Sequence, residues 1–247
     1  MGDVSLSFPL ADLPALQLGG SRFRALPCGA LFWEEEATLL IADLHLEKGS
    51  AYAAKGWLLP PHDSQDTLKR LLSAVERTGA RRIAALGDSF HDRHGVHRLP
   101  EPARALLAQL LGMSDWLWIT GNHDGDSGAG MGGTAMAECR IRDIWLRHEA
   151  LPGGNGAEIS GHFHPKVRVP LRGGRQVARR CLARAGERLV LPAYGAYAGG
   201  LFVDDPAFVQ ALGRRPDALV PLEQGFVHVV ANETDAAARR EARGRIE

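Results

Sequence analysis

At 247 residues, 45% hydrophobic and 23% charged, the chain is long enough for a substantial core, and its formal net charge of zero excludes a bulk attraction for nucleic acid or an acidic surface. Three scattered cysteines, Cys28, Cys139 and Cys181, have no CxxC spacing, which argues against a disulfide framework and a thiolate zinc site and suits a reducing cytoplasm. Met1 to Leu6 lacks the basic and apolar regions of a signal peptide, Leu6 breaks a myristoylation signal, and no apolar run approaches the ~20 residues that span a bilayer. The expectation is a soluble, cytoplasmic protein with no membrane partner.

Residues 7 to 42 read as short strands joined by turns. Gly19-Gly20, between Leu16-Gln17-Leu18 and Arg22-Phe23-Arg24, is a hairpin signal. Leu31-Phe32-Trp33 runs into the acidic turn Glu34-Glu35-Glu36, and Thr38 to Ala42 is a buried strand. Leu46 to Pro61 reads as a long connection that holds Lys48, Tyr52, Lys55 and Trp57. Apolar residues at 68, 71, 72 and 75 mark one face of a helix over 63–78, with Asp63 as N-cap and Gly79 as the stop. A strand from Ile83 to Leu86, a helix from Pro102 to Leu111 and a strand from Trp116 to Thr120 complete two β-α-β-like units, the pattern of an α/β layer fold. Glycine-rich 125–133 predicts a mobile loop. The remainder is β-rich around 138–148, 157–161, 166–171, 176–183 and 187–192, with a short helix from Asp205 to Leu212 and a last strand from Phe226 to Val230. One domain over 1–231 is expected, followed by a charged tail, 232–247, that is a frayed helix or disordered.

Four polar stretches interrupt this apolar pattern. Three close apolar runs: Asp43-Leu44-His45, Gly87-Asp88 and Gly121-Asn122-His123-Asp124; the fourth, Gly161-His162-Phe163-His164, follows Ala157-Glu158-Ile159. In an extended backbone residues i and i+2 share a face, so Asp43 and His45 would reach one point beyond their strand. Imidazole and carboxylate suit divalent first-row metals, and a carboxylate, here Asp88, can bridge two ions. Asn122 would fill a coordination position without adding charge. Two M²⁺ ions balanced by two carboxylates keep about +2 of charge, which favours a phosphate ester. Such a pair holds a bridging hydroxide for attack on phosphorus. His123 is then the candidate proton donor to the leaving oxygen, with Asp124 orienting its ring.

The ordered series Asp-x-His, Gly-Asp, Gly-Asn-His-Asp, a later lone His (His148 in Leu146-Arg147-His148-Glu149) and Gly-His-x-His resembles the calcineurin-like metallophosphoesterase superfamily. That resemblance implies an αββα sandwich of two mixed β-sheets flanked by helices, with a dimetal site at the strand ends. It implies that Asp43, His45 and His164 bind one ion, that Asn122, His148 and His162 bind the other, that Asp88 bridges and that His123 is the acid. Ile41 to Gly49, Ala85 to Asp92 and Pro192 to Gly200 are similar to the bacterial ligase-associated DNA damage response endonucleases. That narrower resemblance implies a manganese-dependent phosphodiesterase and DNA endonuclease, produced with a DNA ligase, a helicase and an exonuclease of a repair cluster. Iron, zinc or cobalt would also suit the donors.

For substrate, single-stranded or damaged DNA, the residues offer His91 and Lys48 as contacts. The segment 166–188, with eight basic residues including Arg168 against the single acid Glu187, either tracks a phosphodiester backbone or is a solvated face balanced elsewhere. A phosphomonoesterase or small-nucleotide pyrophosphatase would share the same ligand set, and a non-catalytic scaffold on the fold would be expected to lack His123.

Overall fold

In the computed structural model, which describes residues 9–60, 62–124, 131–171 and 173–230, strand alternation sorts the apolar residues into three cores. Strands β1 (Ala15–Leu18) and β2 (Ser21–Ala25) form the expected hairpin, with Gly19 and Gly20 at φ 54° and 73°, as a tight two-residue turn requires. They lead through β3 (Leu31–Trp33) to β4 (Thr38–Ile41), and β5 (Arg82–Leu86), β6 (Asp115–Ile119) and β7 (Thr134–Met136) add in parallel, giving a seven-stranded sheet in the order β1 to β7. Both faces of its centre are buried, so the strands read as continuous apolar runs. Leu39, Ile41, Ile83, Ala85, Trp116 and Trp118 face helices α2 (Asp63–Thr78) and α4 (Glu101–Met113). Their neighbours Leu40, Ala84, Leu86, Leu117 and Ile119 face a second sheet. Trp116 and Trp118 are core residues, stacked 4.3 Å apart.

The second sheet also has seven strands. It comprises β8 (Glu138–Ile141), β9 (Ile144–Arg147), β10 (Ala157–Ser160), β13 (Leu182–Ala185), β14 (Arg188–Val190), β15 (Asp217–Leu222) and β16 (Gly225–Val229), in the order β16-β15-β13-β14-β10-β9-β8. Its outer face packs on Phe208, Ala211 and Leu212 of α5 (Pro206–Leu212). β11 (Lys166–Pro170) and β12 (Gln176–Arg180) form a separate two-stranded sheet. The chain is thus the expected sandwich of two mixed β-sheets flanked by helices. The described residues include no helix long and apolar enough to cross a membrane.

Several local expectations are corrected. The connection 46–61 holds a helix, α1 (Lys48–Ala53), and a helical turn, α3 (Gly95–Arg98), follows His94. Neither is long enough to show an apolar periodicity. The expected β-rich stretches are strands: 138–148 is the hairpin β8–β9, reversed at Arg142 with φ 51°, and 176–183 divides between two sheets. β15 was masked by Pro221, which sits beyond the end of its pairing with β13 and so forfeits no bond on that side. His62 takes the N-cap position of α2, and Asp63 spends its carboxylate on Gly49 N at 2.9 Å, which ties α1 to α2. Most of the expected glycine loop (125–130) and the tail 232–247 lie outside the described residues. All three cysteines are free.

Glu158, in β10, is buried between two guanidiniums: Oε1 accepts from Arg188 Nη2 at 2.7 Å and Oε2 from Arg147 Nη1 at 2.7 Å. Removing it leaves buried Arg188, among the described residues, with carbonyl acceptors alone and Arg147 with Glu138 as its remaining carboxylate. Glu158→Ala is expected to lower unfolding free energy by about 3–5 kcal/mol in urea denaturation, with Glu158→Gln intermediate.

Candidate metal centre

β4, β5 and β6 run parallel, so their C-terminal ends lie on one edge of the first sheet, and β9 and β10, parallel to each other, deliver two more segments there. The four motifs leave these ends. Asp43 N donates to Gly87 O at 3.1 Å, His45 N to Asp88 O at 2.9 Å, and His162 N to Asp43 Oδ2 at 2.9 Å, which locks the first, second and fourth motifs together through their backbones. His123 N donates to Asp88 Oδ1 at 2.9 Å and adds the third.

The extended-backbone account of Asp43 and His45 does not hold. β4 ends at Ile41, and both residues are left-handed, with φ 53° and 42°. Asp88, His162 and His164 share this conformation at φ 46°, 71° and 49°. Each such non-glycine residue costs about 1–3 kcal/mol and persists only where its surroundings over-determine it. Gly87 is required for another reason: a Cβ there would collide with the His148 ring.

Two groups of donors result. Asp43, His45 and His164 present ligand atoms within 4.8 Å of one another, and so do Asp43, Asp88 and His148. Asp43 belongs to both, while Asp88 offers Oδ2 to His45 Nε2 at 3.9 Å and Oδ1 to His148 Nε2 at 3.6 Å, one oxygen to each side. His148 Nδ1 lies 3.1 Å from Leu86 O, a donor contact that leaves Nε2 as the ligand atom and fixes the ring. His162 Nδ1 is 3.2 Å from His148 Nε2, and His164 Nε2 is 3.2 Å from both His45 Nε2 and Asp43 Oδ1. Asn122 stands exposed in the turn between Gly121 and His123.

The donor chemistry fits divalent cations. Asp43 is fully buried, and among the described residues its Oδ1 has no hydrogen-bond partner; nor has the buried Nδ1 of His45. Burial, then His164, then Lys48 push the His45 pKa down to about 2, so its imidazole is neutral and competent as a ligand. Imidazoles packed against an incompletely bonded carboxylate form an arrangement that a bound cation would complete.

The remaining expected residues separate. His123 is half exposed at the rim, its ring stacked on His91 at 5.8 Å and edge-on to His45 at 5.6 Å. Asp124 is buried and engaged with the backbone: Oδ1 accepts from Phe90 N at 3.1 Å and Oδ2 from Gly121 N at 2.9 Å, so it fastens the third motif to the second. Its pKa is raised, chiefly by burial. Lys48 opens α1 and lies toward His91, whereas Arg168 lies 3.5 Å over the Phe202 ring on β11. The basic segment is largely consumed by structure. Arg180 binds carbonyls, Arg184 bonds Gln17 O at 2.9 Å, and Arg188 is held by Glu158.

Reading by motif missed the clamp behind the site. Arg180 donates to the carbonyls of Ala193 at 2.9 Å, Gly195 at 2.7 Å and Ala196 at 3.2 Å, and Arg70 donates to Tyr194 O. The clamped loop returns its own N–H groups to the first motif: Tyr194 N to Ala42 O at 2.7 Å and Gly195 N to Asp43 O at 3.1 Å. A Cβ at Gly200 would strike His164 O. The stretch from Tyr194 to Gly200 is therefore the wall on which two donor segments rest, and its many small residues are the signal for that close approach.

No family model matches the chain, and no curated protein matches it. Among solved structures, the nuclease MPE of Pseudomonas putida is similar with a TM-score of 0.62 and 25% identity, over 84% of this chain and 98% of that chain. The E. coli phosphoesterase YfcE aligns at 16% identity with a TM-score of 0.41, over 79% of this chain and 99% of that one, too distant to argue from. The chain has the metallophosphoesterase fold.

Arg180→Ala removes the donor to four carbonyls, those of Ala193, Gly195, Ala196 and Ala198. It is expected to cost about 1.5–3 kcal/mol in chemical denaturation and to weaken Mn²⁺ binding in calorimetry, whereas Arg168→Ala leaves ion binding unchanged.

Proposed function

We propose that the chain is a metal-dependent phosphodiesterase that cleaves DNA, using two divalent ions held by Asp43, His45, Asp88, Asn122, His148, His162 and His164. The carrying observation is the convergence of buried carboxylates and imidazoles from four strand ends into two overlapping donor groups. The fold similarity to a nuclease supports the diester substrate. Similarity of the motif stretches to the ligase-associated DNA damage response endonucleases supports manganese, a cytoplasmic repair role and work alongside a ligase, a helicase and an exonuclease. When bound, such ions supply Lewis acidity toward phosphoryl oxygens and lower the pKa of water.

The chain's own contributions are positional and acid–base. The Asp43 and Asp88 carboxylates, each fixed by a backbone N–H, set the charge of the centre at about two below that of the ions alone. His123, at the rim with its backbone N–H on Asp88, gives its proton to the departing alkoxide oxygen in this reading. His91, stacked on His123, and Lys48 line the side from which a leaving group departs.

Chelator-treated protein should lose activity and recover it with Mn²⁺, tested against Fe, Zn and Co on single-stranded DNA, duplex DNA, RNA and model esters. Hydrolysis of a diester in preference to a monoester is expected, and a strong monoester preference transfers the site to phosphomonoesterase chemistry. His123→Ala should reduce diester turnover by about 10²–10⁴-fold with ion binding intact.

A further inference from the structure

The basic residues of 166–188 are mostly engaged elsewhere, yet one exposed segment beside the centre combines positive charge with aromatic surface. From residue 48 to residue 60 the chain carries Lys48, Tyr52, Lys55 and Trp57 and no acid. Among the described residues, neither lysine has a carboxylate partner within ion-pair distance. The segment is built rather than loose. α1 is anchored at its start by Glu47, whose N–H donates to Ser64 Oγ at 2.8 Å and whose carboxylate accepts from the same hydroxyl at 2.7 Å. After α1 the chain curls back on itself, with Lys55 N and Trp57 N both donating to Tyr52 O, at 2.9 and 3.0 Å, and Tyr197 Oη donating to Pro60 O at 2.7 Å.

That curl stands at the mouth of the metal centre. The Tyr52 ring lies 5.7 Å from the His91 ring, which lies 5.8 Å from the rings of both His45 and His123. The Lys48 ammonium lies 5.9 Å from the centroid of that same Tyr52 ring, and Lys55 follows just beyond the end of α1. In the curl Trp57 is 70% exposed and Leu58 89% exposed, an apolar knob whose Trp57 N–H is already bonded to Tyr52 O. An indole so exposed next to unpaired cations at a phosphoester site matches the requirements of strand binding, in which cations take phosphates and an aromatic face takes a base.

We propose that Trp57 is a stacking platform for an unpaired base of a nucleic-acid strand, with Lys55 contacting its backbone, so that the adjoining phosphate enters the metal centre past Lys48 and His91. This rests on the phosphodiesterase reading for the phosphate's destination, and on the knob and its charges for the base.

The test is fluorescence anisotropy of a labelled single-stranded oligonucleotide and of an abasic oligonucleotide of equal length, with Ca²⁺-loaded protein. Trp57→Ala should weaken binding of the base-bearing strand by about 5- to 150-fold, leave the abasic strand unchanged and be largely rescued by Trp57→Phe. Lys55→Gln should weaken both strands and reduce the salt slope by about 0.7. Equal affinity of Trp57→Ala and wild type for the base-bearing strand overturns the proposal, as does an equal loss on both strands, which would make Trp57 a support of the loop. Loss of wild-type self-association in Trp57→Ala with strand binding intact assigns the knob to a second copy and also overturns it. Turnover of a small diester with Mn²⁺, expected unchanged in Trp57→Ala, is measured in parallel. Its absence in wild type sinks the catalytic reading alone, since the binding comparison stands without it.

Discussion

The carboxylate of Asp43 has no exposed surface and, among the described residues, no Lys or Arg side chain as a salt-bridge partner; it is met by the His162 amide, the edge of His164 and the His148 ring. A carboxylate in that position is costly to desolvate, and only one of its oxygens is hydrogen-bonded. The neutral imidazole of His45 does not offset that charge. A bound cation is the group that would complete the arrangement, and the rest of the edge holds the donors in place around it. Five of the site's residues accept left-handed backbone to do so.

That strain is borne by contacts outside the motifs. The parallel strands β4, β5 and β6 set the spacing, the backbone bonds among motifs set the register, and the wall from Tyr194 to Gly200 blocks retreat of the first and fourth segments. Arg180 and Arg70 hold this wall by its carbonyls. Burial lowers the Arg180 pKa, and Arg70 nearby lowers it further. A guanidinium suits the task because its planar fork reaches several carbonyls at once, which a lysine ammonium does not do in one plane.

Charge is distributed with equal economy. Zero net charge overall conceals a local contrast: arginines of β12 to β14 are bonded into the fold, whereas the lysines of α1 and its following curl have no ion-paired acid among the described residues. A run of arginines in a sequence says how much positive charge exists, and the carbonyls and carboxylates around it say how much remains for a partner.

The sequence by itself determined the apolar strands, helix 63–78, the layered α/β class and the identity of the donors, because these depend on local periodicity and on residue chemistry. Asp43, His45, Asp88, His148, His162 and His164 were all nameable as members of one set, His148 only through its place in a family pattern. What the tertiary structure alone decided is how they meet: by left-handed turns beyond β4 rather than along an extended strand, with Asp43 shared between the two donor groups. It also decided that Asp124 fastens backbone, that Arg168 covers Phe202, that Arg180 braces the site and that α1 exists. Short helices, carbonyl clamps and the sharing of a carboxylate are set by contacts between residues scores of positions apart, and no local pattern in the chain carries that information.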